Sequence, residues 1–254
     1  MKPKAIITGA ASGLGKDMAI LLAQNYQLVL VDRDQTGLNN LQQALPGHDT
    51  YVLDLCDPVA LQTFCRHIQA HHGDLALLIN NAGITHRSLA SVTEPDVIER
   101  VMQVNFFAPV RLAHALLPLL TQNNGAVVNI SSMAGWMPVT ERAGYCASKA
   151  ALHQYFETLR AETSLHIVNV YPSFLATAIE QNALGGDGQT APQARTVVGK
   201  VQSSQWMATR ISHAVQTRKP RVYGDRLTYF ASVLYRLWPG AYFYLMKRNL
   251  KAKA

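Results

Sequence analysis

The chain has 254 residues, 48% hydrophobic and 15% charged, a balance that excludes a disordered chain and leaves ample apolar material for a single α/β domain. Its formal net charge is +7, yet twelve of the bases fall in 195–254 against one acid, Asp225, while the preceding stretch holds eleven bases and fifteen acids. A basic excess confined to an aromatic-rich tail, with no reading helix, argues against nucleic-acid binding.

Apolar runs and helical patterns alternate along the chain. A strand is predicted over 5–8 and a helix over 14–24, then a strand over 28–31 and a helix near 36–44. A third strand at 51–53 leads to a helix from 58 to about 71, and a fourth strand covers 75–79. A long helix opens at Pro95, with proline at its first position and Asp96 in the first turn. The fifth strand is 126–130, followed by a loop, a helix around 144–162 and a sixth strand at 167–171. The strands are short and apolar on both faces, as buried parallel strands are. Alternating βαβ units predict a Rossmann-type doubly wound parallel sheet with helices on both faces, in one domain over 1–254. Gly185, Gly186 and Gly188 read as a flexible loop within it. Cys56, Cys65 and Cys146 are odd in number and lack metal-ligand spacing, so they read as reduced thiols with no metal site. With no charged-then-apolar leader, the expected location is cytoplasmic.

The turn between the first strand and the first helix is Thr8-Gly9-Ala10-Ala11-Ser12-Gly13-Leu14-Gly15. Gly9 permits a tight turn, Gly13 admits close approach of a pyrophosphate, and Gly15 lets the helix pack on the strand. The helix N-terminus then offers free N–H groups to phosphates. Asp32 ends the second strand, seventeen residues after Gly15, where a carboxylate accepts the adenosine ribose hydroxyls and repels a 2′-phosphate. Arg33 pulls the other way, toward a 2′-phosphate. Asp32 is the better placed, so the expected cofactor is NAD(P), leaning to NAD(H).

Tyr145 and Lys149 are four residues apart on a predicted helix and share a face. A tyrosine beside an ammonium can serve as an acid–base group, because the positive charge favours phenolate. Together with the glycine turn, Asn80-Asn81-Ala82-Gly83, Ile130-Ser131-Ser132 and Tyr145-Cys146-Ala147-Ser148-Lys149, this chain resembles the short-chain dehydrogenases/reductases, in their single-domain branch. The resemblance runs from about 5 to 177 and rests on all the motifs standing in order at family spacing.

That resemblance implies an oxidoreductase that moves hydride between a nicotinamide ring and a carbinol or carbonyl carbon. It implies Tyr145 as the proton-transfer residue, Lys149 as its partner and ribose anchor, Ser132 as the donor to the substrate oxygen, and Asn105 as support for a water and proton relay. The implied cofactor contacts are Gly9, Ser12, Gly13, Leu14, Gly15, Asp32, Arg33, Asp54, Leu55, Asn81, Ala82, Gly83, Tyr145, Lys149, Pro172, Ser173, Leu175 and Thr177. Ser12, where NADP-using members often carry a base, supports NAD. Ser173 departs from the family's glycine after the sixth strand. The same scaffold carries dehydratases, epimerases and silent nucleotide-binding regulators; a silent regulator has no need of Asn105, Ser132, Tyr145 and Lys149 together.

Substrate-facing segments are expected at the carboxyl ends of the strands, including a loop over 178–205. Met133, Trp136, Met137 and Phe174 read as an apolar wall, which suggests a hydrophobic secondary alcohol or ketone. His86 and Arg87 read as a solvated loop or a greeting for an acidic substrate. The tail, 226–254, carries Leu227, Phe230, Leu234 and Leu237 at helical spacing, with Lys247, Arg248, Lys251 and Lys253 beyond. It reads as a cover over the substrate pocket or a dimer seam, with peripheral contact to an anionic membrane as the competing use. The family's long helices, here about 95–120 and 144–162, imply a homodimer or homotetramer.

Overall fold

In a computed structural model, which describes residues 2–192 and 201–251, seven parallel strands form one sheet in the order β3-β2-β1-β4-β5-β6-β7. The strands are β1 (Lys4–Thr8), β2 (Gln27–Asp32), β3 (Asp49–Val52), β4 (Leu75–Asn80), β5 (Ala126–Ile130), β6 (His166–Tyr171) and β7 (Arg221–Tyr223). The helices are α1 (Gly13–Leu22), α2 (Gln35–Ala44), α3 (Pro58–His71), α4 (Pro95–Met102), α5 (Ala108–Gln122), α6 (Ala143–Glu162), α7 (Ser204–Gln216), α8 (Arg226–Leu237) and α9 (Pro239–Lys251). The strand order reverses between β1 and β4, which opens a crevice at their carboxyl ends.

The central strands are apolar on both faces because both faces are covered. Leu14, Met18 and Leu22 of α1, Leu38 and Leu41 of α2, and Met207 and Ile211 of α7 pack on one side. Leu61, Phe64 and Ile68 of α3, Leu112 and Leu116 of α5, and Leu152 and Phe156 of α6 pack on the other. Asp57 starts α3 by accepting the Val59 and Ala60 N–H groups, with Pro58 at the first position. Asp34 caps α2 through Gly37 N–H, and Ser203 caps α7 through Trp206 N–H. By contrast Ser12, at the N-cap of α1, makes no side-chain cap. The first amides of that helix therefore face the crevice.

Each predicted strand and helix is present. The long helix after Pro95 is interrupted by a π-turn at Gln103–Phe107, the tail divides into α8 and α9 at Pro239, and α7 and the three-residue β7 are additions. The run Pro95–Gln122 is long and apolar enough to cross a membrane, but Ala108, Leu112, Leu116 and Leu120 lie in the core against the sheet. The glycine-rich loop is built rather than loose: Leu184 bridges Thr190, Gly185 N–H donates to Gln189 O, and a Cβ on Gly186 would stand 2.4 Å from Val92 O.

Candidate active site

A cleft of about 490 Å³ opens at the crevice. Its floor is the glycine turn, with Gly9, Ser12, Gly13 and Leu14 on the wall. Gly9 and Gly13 hold left-handed φ of 66° and 51°, which side chains disfavour. A Cβ on Gly9 would lie 2.8 Å from Ala82 Cα. Gly15 does not line the cleft; a Cβ there would lie 2.0 Å from Gly9 O, so its role is close packing of α1 on β1. Asn81 ties the turn to β4 by donating to Thr8 O and Gly9 O, both at 3.0 Å, while Thr8 Oγ1 accepts Asn81 N–H and Ala82 N–H. This Cβ-free cradle beside an uncapped helix start fits a dinucleotide pyrophosphate.

Asp32 and Arg33 line the same cleft at the end of β2. The Asp32 carboxylate accepts Ala11 N–H at 2.9 Å and Asp34 N–H at 3.0 Å. Asp54, whose carboxylate accepts Cys56 N–H, and the buried Leu55 follow on that wall. Asn81, Ala82 and Gly83 lie at the centre, and Pro172, Ser173, Leu175 and Thr177 on the far side. Ser173 keeps φ out of the left-handed region, so its side chain is accommodated, and Gly224 makes room for it: a Cβ on Gly224 would lie 2.4 Å from Ser173 N.

Ser132, Tyr145 and Lys149 meet on one wall of the cleft. Ser132 follows β5, and its Oγ accepts Ala134 N–H at 3.2 Å. Lys149 Nζ stands 5.8 Å from the Tyr145 ring centroid and donates to Ile130 O at 2.7 Å. Burial lowers the Lys149 pKa from its ordinary 10.5 to about 7. Burial also pushes the Tyr145 phenol up, against a hydrogen bond with Ser132 and the charge of Arg142. Two cations stand near the phenol ring, Lys149 Nζ at 5.8 Å and the Arg142 guanidinium carbon at 6.0 Å from its centroid.

Asn105 is fully buried and stands behind the cleft wall rather than on it. It sits within the π-turn. Its Oδ1 accepts Ile84 N–H at 2.9 Å, and its Nδ2 donates to Ile84 O at 2.9 Å and to Ser148 Oγ at 3.0 Å. Ser148 Oγ in turn donates to Tyr145 O at 2.8 Å. Ser148 has no place in the sequence reading, although it stands inside the motif that supplied its neighbours.

The substrate side departs further from expectation. His86 and Arg87 are buried, not a solvated loop. His86 Nε2 accepts Gly144 N–H at 2.9 Å, and burial and Arg142 hold its pKa down. Arg87 pairs with Glu180 at 2.7 Å, so it does not greet a substrate acid. Met133, Trp136, Met137 and Phe174 are not among the lining residues; the apolar lining there is Ile84, Ile179 and Leu184. Trp136 packs behind the site on Tyr171, with ring centroids 4.6 Å apart, and on His153. Sequence reasoning missed Glu180 and Arg142, which lie far from each other along the chain. Of the 178–205 loop, 193–200 lie outside the described residues.

The tail packs by one edge. Tyr242 Oη donates to Pro138 O at 2.6 Å, and Tyr229 meets Tyr223 edge to face at 5.1 Å. Among the described residues, none of the tail lines the cleft. Its other face leaves Leu227, Phe230, Leu237, Trp238 and Tyr244 more than half exposed. Lys253 lies outside the described residues.

The sequence model of the short chain dehydrogenase family matches residues 3–186. The dehydrogenase/reductase SDR family member 7B of Bos taurus is 36% identical, over 95% of this chain and 79% of its own length. Its Xenopus laevis namesake is 34% identical, over 98% and 83%. A short-chain dehydrogenase from Streptomyces avermitilis shares the fold with a TM-score of 0.84 at 24% identity, over 100% and 99% of the two chains. One from Sphingobium yanoikuyae, in complex with NADPH, has a TM-score of 0.76 at 28% identity, over 87% of each chain.

Proposed function

Because the chain belongs to the short-chain dehydrogenase family and is an NAD(P)-dependent oxidoreductase, we propose that it interconverts a hydrophobic secondary alcohol and its ketone. The observation that carries this reading is the convergence of Ser132, Tyr145 and Lys149 on one wall of a cleft whose floor is the glycine turn. When bound, the nicotinamide ring supplies or accepts the hydride. The chain's own residues manage the oxygen. Tyr145 takes the hydroxyl proton in oxidation and returns it in reduction, and Ser132 donates a hydrogen bond to the same oxygen. Lys149, on the same wall of the cleft, anchors the nicotinamide ribose and exchanges protons with the relay. Asn105 fixes the backbone of Ile84 and, through Ser148, the start of α6. The Ile84, Ile179 and Leu184 lining supports an apolar substrate. A coupled screen of hydrophobic alcohols and ketones, following nicotinamide absorbance in wild type and Tyr145→Phe, tests the reading.

NAD(H) is the proposed preference. The fixed Asp32 carboxylate faces the cleft with its charge unpaired by any base within the hydrogen bonds it makes to Ala11 and Asp34. The chain works as one domain, with 178–205 bordering the substrate, in a cytoplasmic homodimer or homotetramer built on α4, α5 and α6. The tail, tied to the body by Tyr242 on Pro138 O, acts as a cover over the substrate pocket or a dimer seam. The exposed face of α8 and α9, in a region with one acid, favours peripheral contact with an anionic membrane as the second reading.

A further inference from the structure

We propose that Arg142 and Glu180 are opposed positioning residues that set how readily Tyr145 ionises, Arg142 favouring the phenolate and Glu180 disfavouring it. The inference rests on Tyr145 being the proton-transfer residue. Arg142 is the N-cap residue of α6, three before Tyr145, and its guanidinium carbon stands 6.0 Å from the phenol ring centroid. Its two terminal nitrogens grip both oxygens of Glu180, at 2.9 and 2.5 Å. Glu180 comes from the turn Ala178–Glu180 after β6 and lines the same cleft as Tyr145. Arg87 closes the cluster on the same carboxylate at 2.7 Å. The side chains are only 6% (Arg87), 14% (Arg142) and 17% (Glu180) exposed, so their charges act through protein rather than water.

Of the two guanidiniums on the Glu180 carboxylate, that of Arg142 is the one placed against the phenol ring. Burial and the Glu180 pair keep Arg142 protonated. The remaining groups facing Tyr145 leave that field in place. Ser132 hydrogen-bonds the phenol and is neutral. Cys146, beside it on α6, is held as a thiol because burial raises it. Tyr242 of α9 approaches Cys146 and is pushed up to about 12. His86 is neutral, with Nε2 engaged by Gly144 N–H. Lys149, tied to Ile130 O with its Nζ 5.8 Å from the same ring centroid, acts with the same sign as Arg142 and is unchanged in the variants below. Arg142 and Glu180 thus act with opposite signs on one phenol while holding each other in place.

That opposition separates an electrostatic role from a structural one. A difluorinated tyrosine placed at position 145 of the full chain brings ionisation into an accessible range and gives a single fluorine resonance. It is titrated in the parent, Arg142→Gln, Arg142→Lys and Glu180→Gln. Arg142→Gln is expected to lower the phenolate-to-phenol ratio at a given pH on the order of tenfold, and Glu180→Gln to raise it severalfold. Arg142→Lys stays close to the parent. Shifts in the same direction for Arg142→Gln and Glu180→Gln, or none, would overturn the proposal. If Arg142→Gln does not fold, Glu180→Gln decides alone, since a fall in phenolate there has the wrong sign. The titration needs no turnover. Failure of Tyr145 as the proton-transfer residue would show separately, as undiminished turnover in Tyr145→Phe.

Discussion

The carboxylate of Asp32, at the end of β2, accepts the N–H of Ala11, inside the glycine turn, at 2.9 Å. One side chain thus supports the turn and presents negative charge to the cleft. Asp32→Ala removes both effects, and Asp32→Asn removes the charge while keeping an acceptor. Both are expected to shift the ratio of kcat/KM toward NADP(H). Asp32→Ala alone should also cost about 1–2 kcal/mol in denaturant unfolding, for lost charge-assisted hydrogen bonds at a half-exposed site. A wild type that clearly prefers NADPH would mean that Arg33 prevails.

Tyr145→Phe keeps the ring and removes only the hydroxyl. Folding and dinucleotide binding should survive, and turnover should fall on the order of a hundredfold or more. Lys149→Met should cost at least as much, and Ser132→Ala somewhat less. Asn105→Ala should show mainly in kcat, because its amide holds Ile84 and Ser148 rather than the cleft. Steady-state kinetics on one good substrate rank the four. A folded Tyr145→Phe with near wild-type turnover removes the assignment.

Lys149 gives a pH signature in stability. The folded protein releases this proton at about 7, against 10.5 for an ordinary lysine. Between these values the unfolded chain binds more protons, so this residue makes stability rise with pH across that window, by about 1.4 kcal/mol per unit at most. Above 10.5 both states are neutral and the cost is gone; below 7 both are charged and it is constant. Lys149→Met should therefore be more stable than wild type, by a margin that grows as pH falls from about 10 to 7 and then levels off. Urea unfolding at several pH values measures it, and a pH-independent margin would count against the buried ammonium.

For the tail, Tyr242→Phe deletes the bond to Pro138 O and should cost on the order of 1 kcal/mol in thermal unfolding. Pelleting with vesicles containing anionic lipid separates the two readings. The cover predicts no binding. Membrane contact predicts binding that salt weakens and that Trp238→Ser with Phe230→Ser abolishes.

Assembly through α4, α5 and α6 predicts a dimer or tetramer by light scattering at micromolar concentration. Phe107, 42% exposed with Arg111 beside its ring, lies where those helices would be covered. Phe107→Glu should push the equilibrium toward monomer.

What the sequence determined is what short-range chemistry encodes. The glycine turn announces itself because Gly9 and Gly13 need left-handed backbone and Gly15 needs an empty Cβ position within one turn of chain. Tyr145 and Lys149 share a face by helical spacing alone, and buried parallel strands read as unbroken apolar runs. β7 escaped because three residues carry no period, and the π-turn because the partners of the Asn105 side-chain amide, Ile84 and Ser148, lie on other elements. Only the tertiary structure decided the surroundings of the phenol. Glu180 stands 93 positions from Arg87 and 38 from Arg142, and no local pattern joins them. Trp136 was legible as apolar, but whether it walls the cleft or backs it depends on Tyr171 and His153, which arrive from β6 and α6. Desolvation, which sets Lys149 near 7 and holds Tyr145 up, depends on how many segments close over a group, and that number exists only once the chain has folded.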